Sequence, residues 1–357
     1  MIIRKVTFIC CLLILLSGCW DNKDINHRLM PVVLGLTGEG GEGDQYKAYL
    51  QVPKPENDGM GSQVIIEKGY TINQIVNKMS VNMESSIDLL HIKVIIVDKE
   101  LAEKGLSDLI TGFMRSRDIS SKALMAVSES NLDDLFSKIP HYTAPEGSIL
   151  LDYFEKNAGW EPQIALTRIW QVYRSIHSYT RDVAIPLVAM GDTTFLKHTG
   201  SAVIKNGKMV DRISSDETLL YNAFSGHSTN GKIEVLDDAS VMILGNQLLT
   251  KSKFENGIPY LTTKISFKVM ILETKNNPSA EKIKKEVDNL LLSRLEGLIE
   301  KSQKNEADIF GMGQYFRKEI PRDKLKNWRS NYYLALKLDL NVEVDIQNAG
   351  NLKIPSK

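Results

Sequence analysis

The sequence predicts an α+β protein of several domains, with mixed and antiparallel sheets flanked by helices. Three observations carry that expectation. Strand and helix patterns alternate from residue 63 to about 127. An Asn206-Gly207 pair divides two strand-like runs, and Leu334–Ile346 closes the chain with strict apolar/polar alternation. Between these lies a long amphipathic helix at Pro278–Ser302. At about 100 to 200 residues per domain, 357 residues accommodate two or three domains.

Composition narrows the classes further. With 43% hydrophobic and 25% charged residues the chain is of globular type, not disordered. Lys+Arg 44 balances Asp+Glu 44 and no block of five like charges occurs, so nothing electrostatic points to nucleic acid.

The elements follow in chain order. Arg4 and Lys5 lead into an apolar run, Val6 to Leu16, that ends in Ser17-Gly18-Cys19. This is the charged start, hydrophobic middle and small-residue end of an export signal. As a helix the run would cover about 16 Å, against a hydrocarbon core of roughly 30 Å, so it is too short to span a bilayer alone. Leu16-Ser17-Gly18-Cys19 looks like the lipobox of bacterial lipoproteins, in which the Cys thiol receives a diacylglycerol and the chain is cut just before it. Cys10 and Cys11 would leave with the signal, so Cys19 becomes the only cysteine of the mature chain and no internal disulfide is possible. The cut also removes Arg4 and Lys5, leaving 42 basic against 44 acidic side chains. Acyl chains, not a basic surface, are then the means of attachment, on the outer face of the cytoplasmic membrane. Trp20 and Asp21 stand next to the anchor at headgroup level.

Pro31–Thr37 and Gln45–Val52 read as strands, the second with Tyr46, Ala48, Leu50 and Val52 facing one way; Pro53–Ser62 reads as a loop. Gln63–Glu67 is a strand and Thr71–Ser86 a helix. Leu89–Val97 is a largely apolar strand of the doubly buried kind, Glu100–Arg117 a helix and Lys122–Val127 a strand. Residues 131–137, 146–157 and 165–179 are expected helices. Pro186 and Gly191 interrupt an extended stretch at Arg181–Asp192, where a domain boundary is expected. The Asn206-Gly207 hairpin joins Ala202–Lys205 to Lys208–Ile213. Ser214–Phe224 reads as a helix, with Ser214 or Ser215 placed to cap it and Glu217 to complete the box. Lys232–Val235, Ser240–Leu244 and Tyr260–Leu272 are strands. The resulting division is a signal peptide at 1–18, an N-terminal α+β region at 19–190, a middle α+β domain at 191–275 and a C-terminal α+β domain at 276–357.

Catalytic signals are weak. Residues 38 to 43 match G-x-G-x-x-G, but the loop leads into a strand, so no helix N-terminus is there to receive a pyrophosphate, and Glu39 and Glu42 would repel one. Calcium at Glu39, Glu42 and Asp44 lacks EF-hand spacing. The histidines 27, 91, 141, 177, 198 and 227 fall in no zinc pattern, and no G-x-S-x-G elbow or Walker loop occurs. The adjacent pairs Asp133-Asp134 and Asp237-Asp238 diverge in helix or strand and suit solvated turns. Neither a metal site nor a catalytic residue is assigned, and the expected class is non-enzymatic.

Leu16-Ser17-Gly18-Cys19-Trp20-Asp21, followed by Asp24-Ile25, resembles the opening of the Ger(x)C family of spore germination lipoproteins, with Asp24 where Glu is usual. Leu90-His91-Ile92-Lys93-Val94-Ile95-Ile96 resembles the family's His-containing strand, Gly105-Leu106 its following helix, and Asp308-Ile309-Phe310-Gly311-Met312-Gly313 the segment after its long helix. The resemblance implies three-domain α+β proteins without known catalytic activity. These are the C subunits of nutrient germinant receptors, beside a multi-helix A subunit and a transporter-like B subunit in the inner membrane of the dormant spore. It implies no cofactor beyond the covalent diacylglycerol and N-acyl lipid on Cys19. His91 would lie in a structural strand, and Asp308, Phe310, Gly311 and Gly313 in a loop that is structural or meets a partner; paired glycines favour structure. The other classes weighed are a lipid-anchored solute-binding protein, which needs two doubly wound lobes around a cleft, and an exported hydrolase, which needs a polar catalytic cluster.

Overall fold

Eight strands form one mixed sheet that holds residues from 33 to 213. The computed structural model describes residues 28–39, 45–56, 59–116, 118–141, 148–154, 161–227 and 229–348. Cys19, Trp20 and Asp21, the rest of the export signal, and Glu42 and Asp44 lie outside those residues. The strands are β1 (Arg28–Leu29), β2 (Val33–Glu39), β3 (Gln45–Glu56), β4 (Gly59–Gly69), β5 (Ser86–Ile87), β6 (Val94–Asp98), β7 (Leu124–Ser128), β8 (Val183–Met190), β9 (Leu196–Lys205) and β10 (Lys208–Ile213). The large sheet runs β10-β9-β8-β7-β6-β2-β3-β4, parallel from β2 through β8 and antiparallel at both flanks, while β1 and β5 make a two-stranded parallel patch.

Helices cover both faces, which is why β6 and β7 are apolar up to their last residues, Asp98 and Ser128. Ile95 and Val97 face the helices Ile72–Val81, Lys99–Lys104, Ser107–Ser116 and Ile169–Ile176. Val94 and Ile96 face Leu132–Lys138 and Ile149–Phe154. The fold is thus α+β, as expected, with a doubly covered sheet.

A second sheet, β11-β12-β13-β14, comprises β11 (Ile233–Val235), β12 (Ala239–Glu255), β13 (Ile258–Thr274) and β14 (Lys337–Asn348). β12 and β13, each 17 residues long, form a hairpin, and β14 pairs with β13 in parallel. The crossover contains the helix Ala280–Lys304, whose Ile283, Val287, Leu291, Leu295, Leu298 and Ile299 enter the core of this half. Ser279 caps it by accepting from the Lys282 amide at 3.2 Å. Farther along, Asp288 Oδ1 accepts from the Val344 amide at 2.6 Å and ties β14 to the helix.

Local chemistry explains several elements. Asn206 and Gly207 take φ of 51° and 75°, the left-handed pair of a type I′ turn. Ser214 Oγ accepts from the Glu217 amide at 3.1 Å while Glu217 Oε2 accepts from the Ser214 amide at 2.6 Å, closing the capping box.

Other expectations need correction. Pro53–Ser62 is not a loop, because β3 and β4 stay paired out to Glu56 opposite Gly59. β2 stops pairing with β3 at Gln51, so Pro53 and Pro55 sit where one side of β3 has no neighbour and cost no bond there. Tyr49 and Gln51, on the opposite face of β3 from Ala48 and Leu50, are buried as well, Gln51 being satisfied by Ser62 and Ser148. The strand expected from Leu89 starts only at Val94. Asp88 instead caps a 3-10 turn at Leu89–His91 by accepting from the Leu90 amide at 3.0 Å, which leaves His91 exposed on that turn, not in a strand. β12 continues past Leu244 to Glu255, bending at Gly245 where its register shifts. Apart from these corrections, the stretch after residue 190, where a boundary is expected, joins β8 to β9, hydrogen-bonded neighbours of one sheet.

Candidate functional site

The Asp308 loop leaves the C-terminal end of the long helix and meets the segment that feeds β8. Asp308 is fully buried, and its carboxylate accepts from the amides of Met312 and Gly313, both at 2.8 Å, and from Trp328 Nε1 at 2.9 Å. Its own amide donates to Asp182 Oδ2 at 2.9 Å, and the Asp182 amide donates back to the Asp308 carbonyl at 2.8 Å. Asp182 is also fully buried and is gripped by Arg329, with Nε reaching Oδ2 at 2.9 Å and Nη2 reaching Oδ1 at 2.8 Å. Arg329 Nη2 further donates to the Ser178 carbonyl at 2.7 Å. Two stretches far apart in sequence are thereby laced together by charge-assisted bonds.

The glycines make this approach possible. Gly311 has φ of 66°, a left-handed value that costs other residues about 1–2 kcal/mol. A Cβ on Gly313 would stand 2.6 Å from Trp328 Cε2 and 2.7 Å from Thr180 Cβ. Phe310 is buried and packs its ring 4.8 Å from Phe224, and Trp328 stacks on Phe316 at 5.3 Å.

Burial pushes the Asp308 carboxyl up to about 7, against the Gly313 and Met312 amides that favour the anion. It likewise raises Asp182, opposed chiefly by Arg329. Both carboxylates are engaged by donors from within the chain, so neither presents itself to a substrate. Among the described residues no group of three or more His, Cys, Asp or Glu side chains could hold a metal ion, and no helix is long and apolar enough to cross a membrane. A separate apolar cavity of about 260 Å³ lies among Tyr46, Tyr70, Ile72, Leu109, Phe113 and Ile119.

Of the residues singled out in the sequence, Asp308, Phe310, Gly311 and Gly313 come together here; Cys19, Trp20 and Asp21 fall outside the described residues. Sequence reasoning missed Asp182, Trp328 and Arg329. A lone Asp opening the apolar run Val183–Val188 was the available signal for the first, since a charge entering a buried strand demands a partner.

Comparisons with known proteins agree along the chain. Residues 21–190 match the "Spore germination protein N-terminal domain" family and residues 199–350 the "Spore germination B3/ GerAC like, C-terminal" family. Spore germination protein B3 of Bacillus subtilis (strain 168) is 25% identical over 312 residues, covering 84% of this chain and 80% of that protein. Spore germination protein A3 of the same organism is 24% identical, covering 96% of each, and spore germination protein GerQC of Bacillus cereus is 22% identical, covering 93% of this chain and 95% of its own. The crystal structure of the GerBC protein superposes with a TM-score of 0.58 at 17% identity, over 88% of this chain and 97% of that one, a likeness of fold. Matched in both halves and in order, the chain belongs to the GerAC family of spore germination proteins.

Proposed function

We propose that this chain is a membrane-anchored lipoprotein subunit of a spore nutrient germinant receptor. It would be held by acyl chains on Cys19 to the outer face of the inner membrane of the dormant spore, with Trp20 and Asp21 at the headgroups. It acts by contacts with the integral membrane A and B subunits and not by catalysis. The anchor confines it beside its partners and raises their effective concentration without any stronger contact. The observation that carries this reading is the pair of family matches at 21–190 and 199–350, with the lipobox-like Leu16–Cys19 just ahead of the first. On this reading residues 1–18 are removed and the lipid on Cys19 is the sole added group. The buried Asp308 loop serves the partners indirectly, by fixing the two halves of the chain against each other. The alternative, capture of a small solute between two doubly wound lobes, is less well supported, because the second sheet is a four-stranded unit built on a long hairpin.

Cys19→Ala tests the proposal. The variant should keep its fold, leave the spore membrane fraction and impair the response to nutrients. Unchanged membrane retention together with an unchanged nutrient response would sink it.

A further inference from the structure

Among the described residues most arginines away from one region have a carboxylate within reach: Arg28 pairs with Asp88, Arg212 with Glu129, Arg294 with Glu234 and Asp216, and Arg329 with Asp182. Four others converge on a single cleft of about 610 Å³ at the outer side of the Asp308 junction. Arg174 and Arg181 come from the stretch before β8, Arg317 and Arg322 from the turns after the Asp308 loop, with His177 and Gln314 beside them. The cleft lining contains no Asp or Glu. Acids close to these arginines in the chain are engaged by other groups or exposed. Asp182 is fully buried and held by Arg329, and Glu319 accepts from Ser252 Oγ at 2.9 Å. Asp323, next to Arg322 in the chain, is exposed and forms no ion pair among the described residues.

Such a gathering is electrostatically unfavourable, and no carboxylate lines the cleft to offset it. Burial, and then the charge of Arg181, pull the Arg174 guanidinium below its ordinary value. Two of the four are held in place by neutral groups: Arg174 lies 4.9 Å over the Trp170 ring, and Arg317 donates to Gln314 Oε1 at 3.3 Å. Gln314 is itself anchored to Thr180. Guanidinium forks offer paired N–H donors that match the oxygens of a phosphate group. We propose that this four-arginine cleft binds a phosphate-bearing anion, seated between the segment that enters β8 and the turns that follow Asp308. Occupancy would couple the two halves of the chain, because each contributes two of the arginines.

The ligand chemistry has two sources, a free phosphate compound or the headgroup of an anionic phospholipid. Calorimetry on the full-length lipidated protein in non-ionic detergent separates them. Inorganic pyrophosphate and water-soluble dihexanoyl phosphatidylglycerol are the probes, with dihexanoyl phosphatidylcholine and sodium chloride as blanks at fixed ionic strength. Arg317→Gln/Arg322→Gln removes two exposed guanidiniums and should leave the Tm unchanged. It should weaken binding of whichever phosphate probe the native protein takes by at least about tenfold, since each lost charge-assisted bond is strong. Pyrophosphate binding assigns a free ligand, and binding of the glycerol lipid alone assigns the headgroup. Absence of binding to both, or binding that the double variant retains in full, overturns the proposal.

Discussion

Removing the guanidinium of Arg329 while keeping the stem, as in Arg329→Met, is the most direct challenge to the junction described above. The change deletes both bonds to Asp182 and the one to the Ser178 carbonyl. Asp182 stays fully buried, with backbone donors such as the Asp308 amide but no cation left on its carboxylate. Breaking a buried pair from one side costs about 3–5 kcal/mol, since the surviving charge is uncompensated. At about 2.1 cal/mol/K per residue, a chain of this size should lose roughly 4–7 °C in Tm, read by differential scanning calorimetry. The deficit should depend on pH. With Arg329 gone, burial is left to raise the Asp182 pKa, and a carboxyl raised above its unfolded value supports stability at low pH and loses that support as pH rises through its folded value. The variant should therefore lie closer to the native protein at pH 5 than at pH 8. Asp182→Asn/Arg329→Met, which buries no charge and keeps an acceptor for the Asp308 amide, should recover at least about half of the loss. A single-variant cost below about 1 kcal/mol, or a double variant no better than the single, would refute the reasoning.

Other consequences can be checked on the same protein. Asp308, raised by burial to about 7, makes native stability fall as pH rises between its unfolded value and about 7; the indole N–H resonance of Trp328 should titrate near that pH, and Asp308→Asn should abolish the titration. Gly313→Ala should destabilise by about 1–3 kcal/mol in urea unfolding, because its methyl would collide with the Trp328 ring and Thr180. Ser214→Ala should cost about 1 kcal/mol by freeing the Glu217 amide at the start of the helix Ser215–Phe224, and Ser214→Asp should restore most of it.

Much of this architecture was legible where local chemistry decides it. The Asn206-Gly207 turn, the Ser214–Glu217 box and the stripe of the helix Ala280–Lys304 each depend on residues within a few positions of one another. What escaped notice was set by neighbours distant in the chain. Pro53 and Pro55 argued for a loop, and only the early end of β2 makes them harmless in a strand. His91 belonged to an apolar run, yet Asp88, itself bonded to Arg28 at 2.6 Å, turns that run before β6 can begin. The Asp308 loop drew attention through its glycines. Its partners Asp182 and Trp328 stand 126 and 20 positions away in the numbering, beyond the reach of any periodicity.

The hydrogen-bonded contact of β8 with β9 bears on anyone who would cut the gene where its two family segments meet. A fragment ending at Met190 would carry a raw strand edge, and its Asp182 would be bereft of Arg329. The complementary fragment would carry Arg329 as an orphan cation and β9–β10 without a sheet to join. Neither piece would behave as an independent module. Co-expression of the two should rescue solubility through reassembly across the β8–β9 edge.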